Sequence, residues 1–185
     1  MISRRLFWLG FAAALLTAFG CGGGGGGGTP SQALGCSDGG AAAADAVTMS
    51  CAGPQNGTTE LVNVVMGGTA AGTTALRGLN FDVTYDTSKL VFVPAGSYTS
   101  PLFPDALIAV TLFNGQQGRV LVSVQRKGAD PPVTVTPGQH VVLSLSFRIA
   151  AGASFSAAPL TFENTEATNA SAAIAFGSSL ALSYQ

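Results

Sequence analysis

The chain has 185 residues, 47% of them hydrophobic and only 9% charged, with 25 glycines and a formal net charge of −1. That length buries one sizeable core, while the charges stand singly, without the basic patch that nucleic acid or an anionic membrane surface needs, so nucleic acid is not an expected partner. One histidine and three cysteines, with no Cys-x-x-Cys pair, give no zinc-site pattern, and neither a metal nor a cofactor is expected.

Residues 1–20 place Arg4 and Arg5 ahead of an uncharged apolar run over 6–19 and end on the small Gly20, which is the three-part build of an export signal. The run falls short of the ~20 residues needed to span a bilayer, which argues for cleavage over a permanent anchor. Cys21 follows at once. Ala18-Phe19-Gly20-Cys21 resembles the lipobox of bacterial lipoproteins. The resemblance implies acylation of the Cys21 thiol, by palmitate among other chains, and attachment to a bacterial membrane. Ser3-Arg4-Arg5-Leu6-Phe7 resembles the twin-arginine export motif, and both this route and general export stay open. The expected location is outside the cytoplasm, lipid-anchored to the outer membrane on its periplasmic or cell-surface side. Loss of Arg4 and Arg5 with the signal leaves 6 basic against 9 acidic residues, a formal −3.

With Cys21 lipidated, Cys36 and Cys51 remain. They either pair in an oxidising compartment, closing a loop of about 15 residues for about 3 kcal/mol, or stay as free thiols. Residues 21–45 are glycine-rich with almost no large apolar side chain, so they are expected to form a flexible tether of ~25–30 Å reach. The glycine run lacks the Lys-Ser or Lys-Thr ending and the flanking strand and helix of a phosphate loop.

From Val47 the hydrophobic period becomes two. Val62, Val64 and Met66 alternate with smaller or polar residues, as do Leu79, Phe81, Val83 and Tyr85, then Val120, Val122 and Val124, then Leu143, Leu145, Phe147 and Ile149. Turn formers separate these runs, among them Asp86-Thr87-Ser88, Asn114-Gly115 and Pro137-Gly138. Strands are predicted over 47–51, 59–66, 75–85, 89–94, 107–113, 118–126, 139–150, 159–163 and 172–184, the last open to a break near Gly177. The fold class is all-β: a nine-stranded antiparallel β-sandwich with jelly-roll topology over 46–185.

The stretch Gly78-Leu79-Asn80-Phe81-Asp82-Val83-Thr84-Tyr85-Asp86-Thr87-Ser88-Lys89-Leu90 resembles the strand-turn-strand of cohesin domains, "G-x-x-F-x-x-x-Y-D-x-x-x-L", within the larger group of carbohydrate-binding-module-like sandwiches. Gly118-Arg119-Val120-Leu121-Val122-Ser123, Val142-Leu143-Ser144-Leu145-Ser146-Phe147-Arg148-Ile149 and Leu160-Thr161-Phe162-Glu163-Asn164 resemble three later cohesin strands, in the family's order. The resemblance covers about 46–185. It implies a nine-stranded jelly roll and non-catalytic binding of a protein partner, a dockerin or another envelope protein, through a strand face. Recognition of a polysaccharide by a carbohydrate-binding module is the alternative. No contact residue is carried over.

Individual residues favour binding over catalysis. Asp82 sits between Phe81 and Val83 and faces outward, while Asp86 is placed to fix a turn. Four residues apart along one strand direction, they are separated by about 13 Å, too far for a paired-carboxylate site. His140 begins a strand with no Gly-x-Ser-x-Gly elbow, and Ser144 and Ser146 fall on a polar strand face. Trp8 leaves with the signal and Tyr85 points inward, so a flat aromatic platform for sugar rings is poorly supplied. Phe103 either serves a protein contact or staples its loop to the sandwich.

Overall fold

A computed structural model describes residues 33–37, 40–54, 57–69, 74–177 and 179–184; Cys21, the export signal and most of the expected tether lie outside them. The strands are β1 (Leu34–Ser37), β2 (Ala46–Pro54), β3 (Thr59–Gly68), β4 (Thr74–Leu76), β5 (Gly78–Tyr85), β6 (Leu90–Val93), β7 (Leu107–Leu112), β8 (Arg119–Gln125), β9 (Val133–Val135), β10 (Gly138–Ile149), β11 (Ala158–Thr168), β12 (Ala175–Phe176) and β13 (Leu180–Tyr184). One sheet runs β1-β13-β11-β5-β8-β7, the other β12-β2-β3-β10-β6, and β4 with β9 forms a small ribbon. A 3-10 turn, Phe113–Gly115, follows β7.

The two-sheet sandwich follows from the two-residue period, because each strand offers one apolar row and the two sheets bury those rows against each other. Leu79, Phe81, Val83 and Tyr85 of β5 meet Val62, Val64 and Met66 of β3 and Leu143, Leu145 and Phe147 of β10 in one cluster. Ring pairs knit it together, with Tyr85 edge-on to Phe147 at 5.4 Å and Phe92 tilted against Phe147 at 5.7 Å. The Tyr85 hydroxyl accepts the Phe92 N–H (3.4 Å) and donates to Gln117, so it ends in the core without an unmet polar group. Phe103 is buried beneath its loop, whose Ser100 hydroxyl accepts the Phe103 N–H (3.1 Å), so this ring staples the loop rather than facing a partner.

The strand count differs from nine: thirteen are present among the described residues. The expected strand 75–85 breaks at Arg77, whose guanidinium turns aside to the carbonyls of Lys127 (2.9 Å), Gly128 (2.7 Å) and Asp130. Gly78 then passes so close to β8 that a Cβ there would collide with Val124 O, which explains a glycine at the strand's start. The expected strand 172–184 divides into β12, which pairs parallel with β2, and β13, which joins the other sheet.

The folded unit also begins earlier than 46. Leu34 is only 1% exposed and β1 pairs antiparallel with β13, while Cys36 is joined to Cys51 in a disulfide with Cα atoms 5.8 Å apart. Ala42 donates its N–H to Gln139 Oε1, and its carbonyl accepts from Gln139 Nε2, each at 2.8 Å. A tether reaching to 45 is therefore corrected: one leucine, one disulfide and one bidentate amide fix a segment whose composition shows no apolar period. Closing the 15-residue separation contributes about 3 kcal/mol in the chain-entropy account.

One carboxyl sits inside the sandwich. Glu60 of β3 is 1% exposed; it accepts the Gly53 N–H, yet its Oε1 has no hydrogen-bond partner among the described residues. Burial raises its pKa above the ordinary 4.5, against the smaller opposing effect of that hydrogen bond. A carboxyl whose folded pKa is raised stabilises the fold relative to its ionised form below pH 4.5, and that stability is lost as pH rises through the folded pKa. Glu60→Gln keeps the acceptor for Gly53 and removes the charge. Equilibrium unfolding at pH 7–8 should show the variant more stable by on the order of 1 kcal/mol, roughly 2–4 °C in Tm, with the difference vanishing near pH 4; a constant difference across that range would contradict an ionising buried Glu60.

Candidate functional site

The outer face of the first sheet is assembled by registered cross-strand rows. Glu163 of β11, Asp82 of β5, Leu121 of β8 and Thr111 of β7 lie side by side, followed by Glu166, Asn80, Ser123 and Ala109. Thr168, Gly78, Gln125 and Leu107 form the next row, and Thr161, Thr84 and Arg119 close the other end. Each is outward because its strand neighbours, such as Phe81, Val83, Val120 and Val122, are in the core.

Polar side chains on this face hold one another in place. Asp82 Oδ2 receives three donors: Arg119 Nε (2.8 Å), Arg119 Nη2 (2.5 Å) and Asn164 Nδ2 (2.6 Å). Charge-assisted bonds of this kind are about twice as strong as neutral ones, and they leave Asp82 only 7% exposed although it points outward. The Arg119 guanidinium also lies over the Phe113 ring, 4.8 Å from its centroid. A second group forms where Asn80 Oδ1 accepts from Gln125 Nε2 (3.0 Å) and Asn80 Nδ2 donates to Glu166 (3.3 Å), with Gln125 Nε2 also reaching Thr168 (3.1 Å). Thr84 and Thr161 share a hydroxyl bond of 2.5 Å.

Beside these networks the face turns apolar. Leu121, Ala109 and the aliphatic part of Thr111 border a shallow hollow of about 320 Å³, with Asn80, Asp82 and Asn164 on its polar side. Leu107, 61% exposed, and Phe113, 40% exposed, are the large hydrophobic side chains left open among the described residues. Two carboxylates, Glu163 and Glu166, stand exposed along β11.

Asp82 is on the outer face, as its position in the alternation implies, but it is tied into a network rather than open to solvent. Asp86 accepts both the Ser88 N–H (2.9 Å) and the Ser88 hydroxyl (2.6 Å), which hold its pKa below the usual carboxylate value and close the turn after β5. His140 Nε2 lies 2.7 Å from Thr136 O, and the Ser144 hydroxyl donates to Asn63 (2.6 Å), so these side chains are engaged with other partners rather than with each other. Sequence reasoning did not single out Arg119, Leu121 or Asn164. Alternation along β8 carried the signal for the first two. Asn164 depends on a bulge between Glu163 and Glu166, where it adopts φ +47°, and no periodic pattern announces it.

No family model and no curated protein matches the chain. Solved structures do. The sixth cohesin from Acetivibrio cellulolyticus scaffoldin B, determined in complex with a Cel5 dockerin mutant, is 16% identical with a TM-score of 0.53, over 71% of this chain and 93% of that one. CaCohA2 from Clostridium acetobutylicum is 18% identical with a TM-score of 0.52, over 72% of this chain and 87% of that one. At such identities the likeness speaks to architecture, and the chain has a cohesin-like β-sandwich fold.

Proposed function

We propose that this chain is an exported, non-catalytic binding module, held at a bacterial membrane by acylated Cys21, whose β11-β5-β8-β7 face docks a protein partner at the cell envelope. The observation that carries the docking face is its construction: an apolar hollow around Leu121 set beside polar side chains already bonded to one another. A partner meeting such a face has little side-chain ordering to overcome, and an apolar centre with a polar rim is the usual anatomy of protein interfaces. The cohesin-like fold supports the same reading, since the similar A. cellulolyticus domain was determined with a dockerin bound. A dockerin-like module is one candidate occupant and another envelope protein the second. Phe113 is the one exposed large aromatic side chain among the described residues, which favours a protein partner over a polysaccharide that stacks on a row of rings.

Membrane attachment is supported by the sequence Ala18-Phe19-Gly20-Cys21 after an apolar run. Replacing Cys21 with Ser should abolish incorporation of labelled fatty acid and move the protein from the membrane to the soluble fraction of the producing cells. Continued acylation in the variant would remove Cys21 as the anchor.

The docking face is tested by immobilising the protein and exposing it to envelope extract, with Leu121→Lys on the face and Val93→Lys on the opposite sheet as paired variants. An envelope protein retained by wild type and by Val93→Lys should bind at least tenfold more weakly to Leu121→Lys, with both variants showing native circular dichroism. Equal loss in the two variants, or selective binding to a glycan array with no protein retained, would replace this reading.

A further inference from the structure

We infer that the free edge of β7 pairs with the same edge of a second copy, forming a two-fold symmetric dimer through antiparallel strand addition. β7 is bonded to β8 on one side and ends its sheet on the other. An unpaired strand edge presents a row of backbone N–H and C=O groups that template another strand unless charge, proline, a bulge or shortness blunts it. The other three edges of the two sheets are short: β1 and β6 have four residues each and β12 has two, and β1 is further pinned through Cys36. β7 has six residues in unbroken register, and no charged residue and no proline occurs from 106 to 118.

The side chains select the occupant. Leu107 and Phe113, the two exposed large hydrophobics among the described residues, flank this strand: Leu107 begins it and Phe113 follows its last residue as the first of the 3-10 turn. Both are on the outer face: Leu107 by the alternation of β7, and Phe113 because its ring lies beneath the outward Arg119 guanidinium. In an antiparallel pair centred on Val110, Leu107 of one copy falls opposite Phe113 of the second, and Phe113 opposite Leu107, on the same face of the joined sheet. Ile108 then opposes Leu112, and Ala109 opposes Thr111. One two-fold axis therefore covers both exposed apolar side chains at once and sets no like charges against each other, as an isologous contact requires. The contact is smaller than the ~1,600 Å² of a standard interface, so association is weak and concentration-dependent.

The test is sedimentation velocity on the chain from residue 22 onward, which contains every described residue, measured without any partner so that its result is separate from that of the docking experiment. Wild type should move from monomer toward dimer between low and high micromolar concentration. Leu107→Lys and Phe113→Glu should each weaken self-association at least tenfold. Mixed in equal amounts, the two variants should recover dimer, because one contact becomes a lysine–glutamate pair and the other keeps the native leucine and phenylalanine. A variant-free measurement guards against misfolding: amide exchange over 107–112 in wild type should slow as concentration rises. Monomer at the highest concentration, unchanged exchange, or no recovery in the mixture of folded variants would overturn the proposal.

Discussion

Leu79, Phe81, Val83 and Tyr85 fill the inner face of β5, the strand that holds both β11 and β8 in the middle of its sheet. With a side-chain period of two, that single choice of register also sends Asn80, Asp82 and Thr84 outward. A slip by one residue would expose four large apolar side chains and bury a carboxylate. At about 1.5–3 kcal/mol for each large apolar side chain, the loss of roughly 6–12 kcal/mol would be comparable to the whole net stability of a domain. The core and the outer face are therefore not independent designs. The same burial that fixes the sandwich fixes which polar groups meet across β11, β5 and β8.

Two carboxyls removed from water show how differently such groups can be accommodated. Asp82 is bounded by Arg119 on β8 and Asn164 in the β11 bulge, and its Oδ2 takes three hydrogen bonds. Glu60 faces the core from β3 with one backbone donor and an Oε1 that has no hydrogen-bond partner among the described residues, and burial raises its pKa. The donors to Asp82 come from neighbouring strands of the same sheet, so strand pairing itself holds them in place. Among the described residues Glu60 forms no ion pair, and burial outweighs its hydrogen bond.

The legibility of the sequence follows the same physical line. Residues whose roles come from periodic burial could be read: the alternation of β3, β5, β8 and β10, the inward Tyr85, the turn at Asp86. Roles that come from single long-range contacts could not. Leu34 and Ala42 belong to the folded unit through β13 and through Gln139, partners 150 and 97 positions away along the chain. A glycine-rich composition hides such contacts because one buried leucine makes no period. The division of 75–85 at Arg77 is of this kind too, since it depends on carbonyls in the 127–130 loop. The face was legible as a face, from the polar positions of β5 and β8, but its central grouping required the bulge that turns Asn164 back toward Asp82.

That distinction explains how the fold can match cohesins at 16–18% identity while leaving the partner open. A sandwich needs apolar residues of suitable size at alternate positions, a requirement many sequences meet. Recognition needs particular side chains at outward positions, where the core imposes no demand beyond polarity or small size. The outward rows here, with Leu121 and Ala109 beside a fixed Asp82–Arg119–Asn164 group, are features of this chain's own residues. Architecture therefore carries across at low identity, and specificity has to be read from the face itself.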